Sequence, residues 1–70
     1  MGLNTAVLGE RLRALRDTHK LTRAQVARSA GLTLQSYTRF EQGLCRRGFE
    51  SLIKLAMFYN VTVDFLLGLE

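Results

Sequence analysis

Gln35 and Arg39 stand four residues apart, a spacing that on a helix stacks both side chains on one face. Each carries a hydrogen-bonding fork that the edge of a nucleobase can answer. An amide pairs bidentately with adenine N6 and N7, and a guanidinium with guanine O6 and N7. Leu34, next to Gln35, is suited to a thymine methyl, and the Thr38 hydroxyl can meet a base of either kind. Further along, Arg46 and Arg47 are adjacent cations that can follow a phosphate backbone without demanding one geometry. Their neighbour Cys45 is expected to be an inert lone thiol, the alternative being a redox sensor activated by those charges. It is also the one cysteine of the chain, which allows neither an internal disulfide nor a zinc site.

Charge placement supports a polyanionic partner. The net charge is +4, but it is uneven. Between residues 11 and 47 nine cations face only Asp17 and Glu41, a net +7, whereas after residue 47 Lys54 faces Glu50, Asp64 and Glu70, a net −2. Such asymmetry is the electrostatic footprint of nucleic-acid binding. No metal, cofactor or catalytic constellation is expected. A Cys-His pair would need His19 and Cys45 to converge in a pocket with an orienting group, and His19 suits a helix C-terminus instead. The longest apolar run, Leu55 to Tyr59, is far shorter than the roughly 20 residues of a membrane span. The N-terminal residues lack a secretory pattern, so a cytoplasmic protein is expected, nucleoid-associated when bound to DNA.

These side chains need a scaffold, and the sequence spells an all-α one. Seventy residues with 47% apolar content and no proline leave room for a single packed domain over residues 1–70 and none for a small-molecule effector domain. Asn4 or Thr5 can cap a first helix, about 5–19, with Leu8, Leu12 and Leu15 on one face. Thr22-Arg23-Ala24-Gln25 reads as a capping box opening a helix over 23–30, with Val26, Ala27 and Ala30 inward. Gly31 ends it and Thr33 caps a third helix, 34–42, that Gly43 stops. A fourth helix over 49–59 carries Phe49, Leu52, Ile53, Leu55, Ala56 and Tyr59 at helical spacing. Asn60 stops it, and Thr62 caps a last helix over 63–67, with Asp64 in its first turn. The second and third helices, joined by a short turn at Gly31, have the spacing of a helix-turn-helix. With Tyr37 and Phe40 turned inward, Gln35, Thr38, Arg39 and Gln42 face solvent.

The series Leu8-Gly9-Glu10-Arg11-Leu12-Arg13-Ala14-Leu15-Arg16, Leu21-Thr22 with Val26-Ala27, Gly31-Leu32-Thr33, Arg39-Phe40-Glu41-Gln42-Gly43, Leu52-Ile53-Lys54-Leu55-Ala56 and Val61-Thr62-Val63-Asp64-Phe65-Leu66-Leu67-Gly68 resembles the phage lambda-type repressor and Cro (Xre-like) helix-turn-helix family. The likeness implies five short helices in a lambda-repressor-like DNA-binding domain. It implies that the third helix reads bases in the major groove of double-stranded DNA through Gln35, Arg39, Leu34 and Thr38. It assigns phosphate contacts to Thr22, Arg23, Gln42, Arg46 and Arg47, and a structural pair to Arg16 and Glu41. Arg11 and Arg13 are left to a solvated face. Arg23 departs from the family, which usually has glutamine there, and Lys20 stands where a glycine often ends the first helix, so this turn is expected to be strained or differently built.

The likeness also implies a homodimer. Phe58, Tyr59, Val61 and Leu69 crowd the acidic C-terminal third, with Leu69 and Tyr59 better placed for an interface than Leu66. A two-fold dimer would set two third helices about 34 Å apart, one turn of DNA, and so require a near-palindromic operator. The expected function is therefore that of a Cro-like or repressor-like transcription regulator. Two other readings fit the same fold: an antitoxin or restriction-modification controller that binds DNA and a protein partner, and an interaction module without DNA, which the common side of Gln35, Arg39, Arg46 and Arg47 disfavours.

Overall fold

The computed structural model describes residues 5–44 and 49–69. Five helices make up the ordered structure of these residues: α1 (Thr5–Thr18), α2 (Arg23–Ala30), α3 (Leu34–Glu41), α4 (Phe49–Tyr59) and α5 (Val63–Leu66). The boundaries fall within one residue of those read from caps and periodicity. Thr5 is the first helical residue, and Asn4, the other candidate cap, lies outside the described residues.

One three-residue corner is used three times. A residue in the left-handed region ends a helix, an aliphatic residue follows, and a threonine caps the next helix. The corners are Lys20-Leu21-Thr22, Gly31-Leu32-Thr33 and Asn60-Val61-Thr62, with φ of 55° at Lys20, 75° at Gly31 and 56° at Asn60. In each, the aliphatic N–H donates back to a carbonyl five residues earlier: Leu21 to Arg16 at 3.1 Å, Leu32 to Ala27 at 2.7 Å and Val61 to Ala56 at 2.9 Å. This is the Schellman closure of a helix end. The threonine Oγ1 then accepts from the N–H three residues on, at Gln25, Ser36 and Phe65, which satisfies an orphan donor at each N-terminus. Leu21, Leu32 and Val61 pack on the core, so each corner is anchored as well as hydrogen-bonded. The turn at Lys20 is thus built like the glycine version, with the strain of a left-handed non-glycine residue.

The core joins α1, α2, α3, α4 and α5 through Leu8, Leu12, Val26, Ala27, Ala30, Tyr37, Phe40, Leu52, Leu55, Ala56, Tyr59 and Leu66. Gly9 lets α1 lie directly against the end of α3, because a Cβ there would run into the Glu41 carbonyl oxygen. Arg11 is not on a freely solvated face: its guanidinium lies 4.4 Å from the centroid of the Phe65 ring, a cation–π contact between α1 and α5.

One sequence expectation needs correction in the C-terminal third. Of the apolar residues of α4, Leu52, Leu55, Ala56 and Tyr59 form the buried stripe, while Phe49 and Ile53 are 69% and 45% exposed. Tyr59 is not available as a dimer contact: it is 6% exposed and packs in the protomer's own core, edge-on to Phe58 and beside the His19 ring. Leu66 is also fully buried, whereas Leu69 is exposed and Phe58 and Val61 are partly so. Among the described residues no helix is long and apolar enough to cross a membrane.

Candidate nucleic-acid interface

The site is built on α2 and α3. At the start of α2 the capping box closes in both directions: the Gln25 N–H donates to Thr22 Oγ1 at 3.1 Å, and the Thr22 N–H donates to Gln25 Oε1 at 2.8 Å. Ala27 and Ala30 are buried between the helices, and their small side chains permit the close crossing that the Gly31 corner requires. Across that corner Thr33 caps α3, and its hydroxyl also donates to Ser36 Oγ at 2.9 Å.

Tyr37 and Phe40 clamp α3 to the core, at 0% and 3% exposure. The opposite side therefore faces solvent. Gln35, Arg39 and Gln42 are exposed, Leu34 is half exposed and Thr38 is half-buried. Thr22 and Arg23, at the start of α2, are exposed too. Cys45, Arg46 and Arg47 lie outside the described residues, so the contacts expected of the two arginines and the thiol chemistry of Cys45 have no structural counterpart.

Behind this surface is a charge cluster that fixes the end of α3. Arg16 Nε donates to Glu41 Oε2 at 2.6 Å and Nη2 to Oε1 at 3.3 Å. Its Nη1 donates to the Leu21 carbonyl at 3.2 Å, tying the α1–α2 corner to the same cluster. The Glu41 side chain is 2% exposed and that of Arg16 16%. Burial by itself would raise the Glu41 carboxyl, but the hydrogen bonds and charge of Arg16, helped by Tyr37 and Arg23, hold it below the usual carboxylate range. The same hydrogen bond raises the Arg16 guanidinium. Tyr37 is pushed up by burial and by its neighbours Glu41 and Tyr59, and burial raises Tyr59.

Arg23 is the residue whose setting sequence reasoning missed. Its Nε donates to Glu41 Oε1 at 3.3 Å, so it belongs to the charge cluster as well as to the surface. The available signal was the scarcity of acids: between residues 11 and 47 only Asp17 and Glu41 could partner any of the cations there.

Comparison with known proteins gives the same assignment. The family described as "Helix-turn-helix domain" matches residues 7–66. A Bacillus subtilis (strain 168) protein, the uncharacterized HTH-type transcriptional regulator YobD, is 42% identical over 60 residues, which is 86% of this chain and 54% of that protein. The chain thus spans about half the length of this curated relative. Among solved structures, the P22 c2 repressor in complex with a synthetic operator superposes with a TM-score of 0.82 at 25% identity, over 90% of this chain and 96% of the repressor chain. A hypothetical transcription factor from Neisseria shares the fold, with a TM-score of 0.84 at 23% identity over 91% of this chain and 74% of its own. A transcriptional regulator from Listeria innocua gives 0.76 at 26% identity, over 87% of this chain and 57% of its own. On the corner at Gly31, the clamped α3 and the match over residues 7–66, this chain belongs to the helix-turn-helix domain family.

Proposed function

We propose that the chain is a sequence-specific double-stranded DNA-binding transcriptional regulator that acts as a homodimer on a near-palindromic operator. The observation that carries the reading is the free face of α3, where Gln35 and Arg39 stand one turn apart on the second helix of a helix-turn-helix. Inserted in the major groove, this helix offers Gln35 to adenine, Arg39 to guanine, Leu34 to a thymine methyl and Thr38 to a neighbouring base. Thr22, Arg23 and Gln42 flank that face and take phosphates, joined by Arg46 and Arg47. The superposition on a repressor bound to a synthetic operator supports the same partner.

The dimer is proposed through Phe58, Val61 and Leu69 near the end of the chain, without Tyr59. Exposed Leu69, at 71%, would be the main new contact. The pairing sets the two copies of α3 about 34 Å apart, one turn of B-DNA. Selection of bound duplexes from a random pool at about physiological salt tests both parts. A palindromic motif with half-sites one turn apart is the expected result. A single unpaired half-site would refute the dimer, and no enrichment would refute the DNA reading.

A further inference from the structure

Helix α4 carries an apolar stripe that the described residues leave uncovered. Phe49, Ile53 and Met57 recur at every fourth position and are 69%, 45% and 75% exposed. At about 100° per residue, Phe49 and Met57 flank Ile53 by about 40° on either side, which makes one narrow face. Phe58 lies about 140° round the helix from Ile53, so the stripe is separate from the Phe58, Val61 and Leu69 surface of the dimer proposed above. Glu50 and Lys54 are the charged residues of α4. Both are exposed, and the salt bridges among the described residues involve neither. They border the stripe on the same flank, about 60° and about 100° from Ile53. Beside Lys54 and Met57 that flank opens into a groove of about 300 Å³ against Ser29 and Ala30 of α2.

This pattern is self-complementary. When two copies of α4 cross antiparallel about a two-fold axis at Ile53, each Ile53 meets its own counterpart and each Phe49 meets Met57 of the second copy, a sulfur–aromatic pair. The same axis keeps the two charged flanks on one side. With a rise of about 1.5 Å per residue, Glu50 stands about 4.5 Å before Ile53 and Lys54 about 1.5 Å after it, so Glu50 of one copy lies within about 3 Å, along the axis, of Lys54 of the other. We propose that α4 is a docking face for a second copy of this chain, paired antiparallel through Phe49, Ile53 and Met57 and latched on one flank by Glu50 against Lys54. The seam stands apart from the DNA reading. Together with the proposed C-terminal interface it carries assembly beyond the dimer, so that dimers on neighbouring operators reinforce one another.

Sedimentation equilibrium of the full chain without DNA, at about 50 mM salt where surface charges are weakly screened, tests the seam with Glu50→Lys, Lys54→Glu, the double exchange, and Leu69→Asp. All of these alter exposed positions, and circular dichroism checks that the helices persist. Each single reversal turns both symmetry-related pairs repulsive and should weaken association at the seam by about tenfold. The double exchange should restore it. Leu69→Asp should leave a dimer that Lys54→Glu then breaks. A wild type that stops at two copies, with Leu69→Asp reducing it to one, would overturn the inference and leave the C-terminal dimer standing. A wild type of one copy at every concentration would overturn both. A double exchange as weak as either single reversal would overturn the antiparallel pairing.

Discussion

Replacing Glu41 by alanine should come close to unfolding this protein. The carboxylate is 2% exposed and receives Arg16 through two nitrogens. Its loss would strand a guanidinium that is itself only 16% exposed. Removing one partner of a buried ion pair costs about 3–5 kcal/mol. The lower end applies here, because Arg16 keeps its bond to the Leu21 carbonyl and the shortened side chain admits water. Arg23 adds little, being 44% exposed and free to rehydrate. The expected cost is thus about 3 kcal/mol, against the roughly 3–5 kcal/mol that the core of so small a domain supplies. At about 4–8 °C per kcal/mol, the midpoint of thermal unfolding should fall by about 12–24 °C. Circular dichroism against urea and temperature reads this directly. The double variant Arg16→Met with Glu41→Leu, which replaces the pair by apolar groups, should recover most of the loss. The pH dependence has a definite sign. Since the folded state depresses the Glu41 pKa, the stability it lends is complete above the ordinary carboxylate value of about 4.3 and is lost as pH falls below it. The alanine variant should lack that part of the acid dependence. A cost below about 1 kcal/mol would refute the reasoning, because it would mean that the pair is no better than a surface salt bridge.

Four other outcomes can be measured on the same preparation. Lys20→Gly should stabilise by about 1 kcal/mol, since Lys20 sits at φ 55° where a Cβ is disfavoured; an unchanged or lower melting midpoint would count against strain at this corner. Gly9→Ala should destabilise by about 1–3 kcal/mol through overpacking against the Glu41 carbonyl, although alanine is the better helix former, so denaturant titration decides between backbone clash and propensity. Gln35→Ala and Arg39→Ala should each erase about 1–3 kcal/mol of discrimination at one base of the half-site while leaving the thermal midpoint nearly unchanged, as read from duplex competition. Above about pH 10 the fold should weaken: burial raises Tyr37 and Tyr59, so the unfolded chain ionises first and stability drops with rising pH. Ultraviolet titration alongside circular dichroism would show tyrosinate appearing together with unfolding.

What the sequence made legible was chiefly what is decided within a few residues. The Thr22–Gln25 box, the stops at Gly31 and Asn60, and the caps at Thr33 and Thr62 each depend on partners no more than five positions away, so residue type and spacing suffice. The outward face of α3 was readable because Tyr37 and Phe40 leave its wheel one large apolar side. In α4 the same method had no purchase. Phe49, Ile53 and Met57 form one apolar stripe and Leu52, Leu55, Ala56 and Tyr59 another, and only the position of α2 and α5 selects the second for burial. Tyr59 was misplaced for that reason. The Arg16–Glu41 pair bridges 25 residues and Arg23–Glu41 bridges 18. No local pattern encodes either one; family likeness supplied the first.

The repeated corner has a consequence for binding thermodynamics. The angle between α2 and α3 is set by the left-handed Gly31, the Leu32-to-Ala27 hydrogen bond and the Thr33 cap, all satisfied within the free protomer. Nothing in that corner waits for a ligand to complete it. The helix offered to the groove is therefore pre-organised, and the ordering cost at this corner falls mainly on exposed side chains, Gln35 and Arg39 among them. Docking of α2 and α3 should accordingly be near-rigid, and folding of that corner should add nothing to the heat-capacity change of binding.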